Sequence, residues 1–446
     1  MTRREQFPRG LDAMSVEALA AAAAARRIDS VDIVEDALRR IRAREHEVQA
    51  FVHLDAAWAL EQARQRDDDR RPVLLHGIPL AVKDIFDTCD FPTEYNSAIY
   101  RGRKPARDAE CVARARAAGA VLLGKTVTSE FAHVVLGPTA NPVDVRYSPG
   151  GSSSGSAAAV AAGFVPLALG SQTGGSAIRP ASYCGVFGFK PTYGRLPVGG
   201  MKAVAPSLDT VALFARSVID LEFFFSALAL QPRTKPAHAG TKTIGFCRAS
   251  GWGHVERDAE RILERAADAL ASGGYRVVPM DLPARFDRLP TDCMTILNAE
   301  LSQSLSYEYA HHRSAISEAT RLAIEAGRSV RTADLASAYE RQRTASEDLD
   351  RLFDGFDAVL TYSATGEAPL GHANGDSVFN RVWTMLHVPC LNVPAGKGAN
   401  RLPIGVQLIG RRGRDAELLS LAREASECIG RIAAQDTEPL PAPCAS

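Results

Sequence analysis

Residues 149–192 read PGGSSSGSAAAVAAGFVPLALGSQTGGSAIRPASYCGVFGFKPT, and both the fold and the chemistry turn on this stretch. Two clusters rich in glycine and serine, at 150–156 and 170–176, bracket an alanine-rich apolar run. Glycine loses more conformational freedom on folding than any other residue, so its repeated use marks backbone that turns sharply or approaches a partner closely. Small side chains beside hydroxyls and free backbone N–H groups suit an anion or a developing oxyanion. Between the clusters, 156–162 read as an alanine-rich helix and 165–169 as a short buried strand.

Upstream, residues 14–66 read as helical, with Ser15 and Ser30 as N-caps and Val31, Val34, Leu38 and Ile41 at helical spacing. At 73–86, VLLHGIPLAVKDIF, the apolar runs 73–75 and 78–82 are broken by Gly77 and Pro79, as in a strand with a turn. Lys83 closes the second run, where an unpaired ammonium is costly, so snorkelling or pairing with Asp84 is the plain alternative to a function. Residues 108–118 read as a helix and 120–124 as a buried strand leading to Lys125.

Downstream, LPVGGMKAVAPSLDTVALFARS (196–217) reads as a loop and then a helix. Strands at 244–247 and 275–278 flank a helix at 256–271, and 296–352 read as polar helices. Further strands fall at 357–360, 391–394 and 404–409, with a closing helix at 415–428. The Pro-rich tail TEPLPAPCAS (437–446) is expected to fray. Alternating β and α units predict an α/β fold: one large domain, 1–446, with a central mixed β-sheet covered by helices on both faces. Within it, 1–70 supply N-terminal helices, 71–230 the core with the two clusters, and 231–446 the rest of the sheet. The helical region 296–352 is expected on the substrate side.

A chain of 446 residues with 46% hydrophobic and 23% charged side chains has the balance of a soluble globular protein. Lys plus Arg equals Asp plus Glu at 52 each, which argues against nucleic-acid or membrane-surface binding driven by bulk charge. The eight cysteines (Cys89, Cys111, Cys184, Cys247, Cys293, Cys390, Cys428, Cys444) form no C-x-x-C pair. That scatter suits reduced thiols in a cytoplasmic protein rather than a disulfide framework or zinc site. Arg3, Arg4 and Glu5 at the start, and an alanine run ending at Arg26 and Arg27, give no signal peptide, and no apolar run reaches membrane-spanning length. No cofactor, metal, nucleic-acid or membrane partner is expected, and a homodimer is left open.

Three chemistries compete for the glycine–serine clusters. A phosphate loop requires G-x-x-x-x-G-K-[ST], which is absent, as is a G-x-G-x-x-G after an N-terminal strand. Gly151-Ser152-Ser153-Ser154-Gly155 formally fits G-x-S-x-G and nominates Ser153, with His372 or His387 downstream. That elbow needs an apolar strand immediately before it, and here a proline-containing loop, NPVDVRYSP, precedes it. The adjacent His311 and His312 point to different helix faces and make a poor metal pair.

The third possibility uses the whole pattern. Gly150-Gly151-Ser152-Ser153 and Thr173-Gly174-Gly175-Ser176, with Ser152 and Ser176 spaced 24 residues apart and a strand-closing lysine upstream, closely resemble the amidase signature family. The resemblance extends through GIPLAVKD (77–84), VLLGKTVTSEFA (121–132), PCLNVPAG (389–396) and LPIGVQLIG (402–410). It implies a Ser–cis-Ser–Lys triad: Ser176 the nucleophile, Ser152 the bridging serine with a cis peptide at Gly151–Ser152, and Lys83 the base. It also implies an oxyanion hole from backbone N–H groups of Thr173, Gly174, Gly175 and Ser176. A serine needs a base within reach, and lysine serves only when burial keeps it neutral, as its place after PLAV would allow.

Arg179 follows Ser176 at three residues, in GGSAIRP, where many family members have the arginine at two. This wording resembles the malonamidase-type branch, in which the arginine binds a substrate carboxylate; a structural ion pair is the alternative, and planar guanidinium suits either role. Gln172 and Tyr95 are further candidate substrate contacts. Phe379, Trp383 and Met385 are read as packing residues ahead of pocket lining. The expected function is hydrolysis of a small amide C–N bond through an acyl-enzyme. A carbamate (urethane), aryl-amide or ester hydrolase with the same triad is the alternative. The glutamine-hydrolysing subunit of a tRNA-dependent amidotransferase is a second one, and a non-catalytic binding protein of the same fold is the rival of a different class.

Overall fold

Eleven β-strands join into one mixed sheet, and their order brings the two glycine–serine clusters beside Lys83. In the computed structural model, which describes residues 11, 14–69, 71–231 and 240–435, the strands are β1 (Phe51–Leu54), β2 (Pro79–Lys83), β3 (Val121–Thr126), β4 (Leu167–Gln172), β5 (Phe187–Lys190), β6 (Thr210–Ala215), β7 (Thr243–Phe246), β8 (Arg276–Pro279), β9 (Ala358–Tyr362), β10 (Cys390–Lys397) and β11 (Pro403–Ile409). They run in the order β1-β3-β2-β4-β6-β5-β10-β11-β9-β7-β8. β2 lies parallel between β3 and β4, and β7 lies parallel between β8 and β9. Antiparallel pairs through β6, β5, β10 and β11 join the two parallel groups.

The described helices are α1 (Val16–Ala24), α2 (Ser30–Val48), α3 (Ala56–Asp68), α4 (Glu110–Ala117), α5 (Ser154–Ala161), α6 (Ile178–Cys184), α7 (Val218–Ala229), α8 (Arg257–Ser272), α9 (Leu289–Ser304), α10 (Ser306–His312), α11 (Glu318–Arg328), α12 (Thr332–Leu352), α13 (Val378–Met385) and α14 (Asp415–Gln435). They cover both faces. Leu80 and Val82, Leu167 and Leu169, and Val211 and Leu213 point into one apolar core. Their neighbours Ala81, Ala168, Ala212 and Phe214 point into a second, packed against α2, α3, α5 and α6. The two-residue period of a strand thus divides each run between two interiors.

Most expected elements are present, and the differences have physical causes. Ser15 caps α1, its Oγ accepting the Ala18 N–H at 3.2 Å. Asp29, not Ser30, caps α2 through a capping box with Asp32. The stretch 14–66 is interrupted by β1, because Gln49 turns left-handed (φ 51°) and ends α2. Residues 73–75 form no strand. TVALFA (210–215), within the stretch expected to end in a helix, is instead β6, buried along its whole length, where a continuous apolar run carries no period to tell strand from helix. The segment 362–387 contains α13. Arg3, Arg4, Glu5, Cys444 and the 437–446 tail lie outside the described residues. No described helix is long and apolar enough to cross a membrane.

Two glycines test the packing in opposite directions. A Cβ on Gly124 would lie 2.1 Å from the His53 carbonyl oxygen, forcing β3 away from β1. Gly124→Ala should therefore cost about 2–3 kcal/mol. Gly430, in α14, is exposed, and a Cβ there would meet no atom within 4 Å outside its own helix. Gly430→Ala should gain up to about 1 kcal/mol from helix propensity. Urea unfolding midpoints moving in opposite directions would bear this out.

Candidate active site

Lys83 ends β2 and is completely buried. Its Nζ lies 2.7 Å from Ser152 Oγ, 2.8 Å from Ser171 Oγ and 3.1 Å from Ser153 Oγ. A neutral amine has two N–H donors and one lone pair, a set that three hydroxyls satisfy. Burial drives the Lys83 pKa well below the ordinary lysine value, and the negative charge of Asp209 opposes this only in part. Pairing with Asp84 is excluded, because Asp84 holds Lys125 instead, Nζ to Oδ1 at 2.9 Å.

The three serines arrive by two routes. Ser171 lies on β4, the parallel neighbour of β2. Ser152 and Ser153 lie in the turn before α5, where the Gly151–Ser152 peptide is cis and Gly150 has φ +72°. Both glycines are needed there: a Cβ on Gly150 would lie 2.8 Å from the Tyr183 ring, and one on Gly151 would lie 2.5 Å from Leu136. The Ser153 hydroxyl faces Lys83 and the Ser171 carbonyl and is fully buried, so it is not the exposed serine of an elbow. Of the two histidines that such an elbow could use, His372 is exposed, while the His387 ring stacks on Tyr193.

The second cluster follows β4 directly. Thr173, Gly174, Gly175 and Ser176 line a cavity of about 200 Å³, together with Ala132, His133 and Val134. Gly175 is packed against the start of α13, where a Cβ would meet Asn380 Oδ1 at 2.5 Å and Ser377 Cβ at 2.7 Å. The Ser176 carbonyl accepts the Ser153 N–H at 3.3 Å, tying the two clusters together. Ser176 therefore opens onto the cavity while Ser152 and Lys83 lie outside its lining.

The remaining candidates take structural places. Gln172 is buried below the turn: its Oε1 accepts the N–H groups of Ala177 and Ile178, and its Nε2 donates to Thr384. Tyr95 does not line the cavity; its hydroxyl donates to Asp87 and its ring packs edge-on against Tyr100. Phe379, Trp383 and Met385 are buried and pack, Trp383 against Trp252 and Phe379 against Tyr362. Arg179 does line the cavity, and its partners are carbonyl oxygens rather than a carboxylate. It donates to Gly151 O at 2.6 Å, Asn374 Oδ1 at 2.9 Å and Gly375 O at 2.9 Å. Three of its five N–H donors are thus spent on the fold, one on the cis turn and two on the 374–375 segment, and burial pulls its pKa down to about 10.

Sequence reasoning missed Ser171, Asp209 and His133. Ser171 is legible as a hydroxyl near the end of an otherwise apolar strand. His133 follows two non-glycine residues with left-handed φ, Phe131 at 49° and Ala132 at 56°, a backbone feature that sequence does not announce. Its imidazole is neutral, burial lowering its pKa to about 4. Among the described residues, the grouping able to hold a metal ion is Cys89, Asp90 and Asp108, where Arg116 already bonds both carboxylates.

The arrangement is that of a serine–lysine site on an α/β sheet. The chain belongs to the Amidase family, matching it over residues 32–419. It is 33% identical to the A-subunit of glutamyl-tRNA(Gln) amidotransferase from Anaeromyxobacter dehalogenans (strain 2CP-C), over 95% of this chain and 96% of that one. Its fold matches a crystal structure of an amidase with a TM-score of 0.86 at 27% identity, covering 94% of this chain and 100% of the other. It matches the native peptide amidase from Stenotrophomonas maltophilia with a TM-score of 0.78 at 28% identity, over 94% and 97% of the two chains.

Arg179→Met should leave the Gly151 and Gly375 carbonyls without their cationic donor and lower the unfolding free energy by at least about 2 kcal/mol. Chemical denaturation measures this independently of any substrate.

Proposed function

We propose that this chain hydrolyses the C–N bond of a small carboxamide through an acyl-enzyme on Ser176. The observation that carries the reading is the buried Lys83 amine, surrounded by three serine hydroxyls. In this reading Ser176 Oγ attacks the amide carbonyl as its proton passes to Ser152, and the Ser152 proton passes to Lys83. The backbone N–H groups of Thr173, Gly174, Gly175 and Ser176 receive the oxyanion. The proton then returns through Ser152 to the leaving nitrogen, the C–N bond breaks, and water hydrolyses the acyl-serine by the same relay.

The cavity, at about 200 Å³, is smaller than the usual ligand pocket of about 300–1,000 Å³, which suits a substrate of few heavy atoms. Met294 and Leu297 of α9 line it, in keeping with a substrate-side role for the helices around 296–352. Beyond the three donors it spends on the fold, Arg179 has two more, one of them on a buried Nε, so a substrate carboxylate remains a candidate partner for this cavity-lining cation.

Sequence similarity to the amidotransferase A-subunits favours glutamine hydrolysis within a larger complex over a free-standing small-amide hydrolase. Carboxamide hydrolysis satisfies both, with glutamine the first substrate to test. Carbamates, aryl amides and esters share the chemistry and belong in the same panel. A cytoplasmic location accords with the scattered cysteines. The stand-alone reading goes with a monomer or homodimer, and the amidotransferase reading with foreign partner chains.

Ammonia release from glutamine, simple amides, an aryl amide and a carbamate, followed for wild type and variants, tests the proposal. Ser176→Ala should lower kcat by about 10⁴-fold or more. Full activity in a folded Ser176→Ala protein would overturn the nucleophile, and a serine-directed inhibitor bound at Ser153 would restore the elbow. Efficient turnover of simple amides by the isolated chain would favour the stand-alone reading over one that needs partner chains. Because the active form of Lys83 is neutral, kcat/KM should rise with pH along a limb lying below the ordinary lysine range, and a limb at that ordinary value would contradict the desolvated base.

A further inference from the structure

Asp209 immediately precedes β6 and is buried, and its two oxygens are shared between two segments that line the candidate site. Oδ1 accepts the Thr173 hydroxyl at 2.5 Å, and Oδ2 accepts the Val204 N–H at 2.8 Å. Thr173 begins the turn that ends in Ser176, and Val204 lines the same cavity. Among the described residues, no lysine or arginine lies within ion-pair distance of this carboxylate.

Facing Asp209 from α9 is Glu300, which accepts from Ser207 and from the Tyr339 hydroxyl of α12. Tyr193 and His387 stack beside the same turn; the Tyr193 hydroxyl donates to Pro206 O, and His387 Nε2 contacts Ser207 O at 2.8 Å. None of these supplies a positive charge at neutral pH, since burial lowers the His387 pKa. Around Lys83, β4 and the turn before α5 offer only hydroxyls, and on the β3 side Lys125 and Asp84 neutralise each other. The Asp209 carboxylate favours the charged form of Lys83, against the larger effect of burial. Among the described residues, the region thus holds two buried carboxylates, Asp209 and Glu300, with no cation in ion-pair contact, and one buried amine with no carboxylate in contact.

We propose that Asp209 is a positioning residue that acts twice, holding the Thr173 turn through its hydrogen bonds and serving as counter-charge for the ammonium formed on Lys83 during turnover. This rests on the reading of Ser176 as nucleophile. When the Ser176 proton reaches Lys83 through Ser152, one positive charge appears in a buried site, and one negative charge appears on the substrate oxygen. The Asp209 charge makes the first of these less costly while burial keeps the resting amine neutral. Asp209 itself stays ionised through most of the working range: burial pushes its pKa up to about 6, and the Thr173 and backbone hydrogen bonds keep it from rising further.

The sign of the effect separates this role from a structural one. Removing an anion weakens proton binding by Lys83, so Asp209→Asn, which keeps the shape and an acceptor for the Val204 N–H while its amide NH2 can donate to the Thr173 hydroxyl, should move the acid limb of kcat/KM to lower pH. The expected movement is about one pH unit, with a plateau lowered up to about tenfold. Thr173→Val removes the hydroxyl and leaves the charge; it should lower the plateau with the limb in its wild-type place. Should Asp209→Asn fail to fold, Asp209→Glu, which keeps the charge and displaces the hydrogen bonds, should likewise leave the limb where it is. A limb unmoved in folded Asp209→Asn, or moved in Thr173→Val or Asp209→Glu, would overturn the counter-charge. Activity surviving in Ser176→Ala would instead overturn the reading beneath it.

Discussion

Everything at the site follows from placing one amine where water cannot reach it. An ammonium isolated in such surroundings costs many kcal/mol, so Lys83 must either find a carboxylate or give up its proton. The adjacent strand holds a control in Lys125, which is equally buried and takes the first course by binding Asp84. The two lysines are nearly level, since Val82 is the register partner of Lys125. Their surroundings make one a structural cation and leave the other free to act as a base.

Keeping Lys83 neutral yet hydrogen-bonded constrains the surrounding sequence. Three hydroxyls must converge from β4 and from the turn before α5, in a space too small for larger side chains. Gly170 shows how tight it is: a Cβ there would lie 2.9 Å from Ser153 Oγ and 2.5 Å from the Phe214 ring. The alanine-rich α5 is narrow for the same reason, with Gly155 close against the Ala50 carbonyl and the Val127 N–H. Arg179 then fastens the cis turn to the 374–375 segment, coupling the first cluster to chain made some two hundred residues later.

Much of this is legible in the sequence. The glycine–serine clusters, the strand-closing lysine and the α/β alternation all show as local patterns. Segments whose state depends on both faces being buried are harder to read: TVALFA looks alike as strand or helix until its neighbours β4 and β5 are known. Side chains recruited by tertiary position are harder still. Tyr95 sits near the lysine strand in sequence yet turns to Asp87, whereas Asp209, in the unremarkable phrase PSLDT, reaches Thr173 across a sheet pairing that no spacing rule reveals.

The strand order also bears on biosynthesis. β10 and β11, the last of the described strands to leave the ribosome, sit in the interior of the sheet between β5 and β9. Until they emerge, the nascent chain holds two half-sheets with open edges, the condition in which unfinished proteins recruit chaperones or associate wrongly. Roughly three hundred residues separate Lys83 from Arg381, an interval of about 15–60 s at about 5–20 residues per second. For the later part of that time the polypeptide carries Lys83 and the serines around it but lacks the α13 wall behind Gly175. The cavity is therefore among the last features to be completed, and a ribosome-bound fragment holds its chemical groups without the enclosure that would let them act.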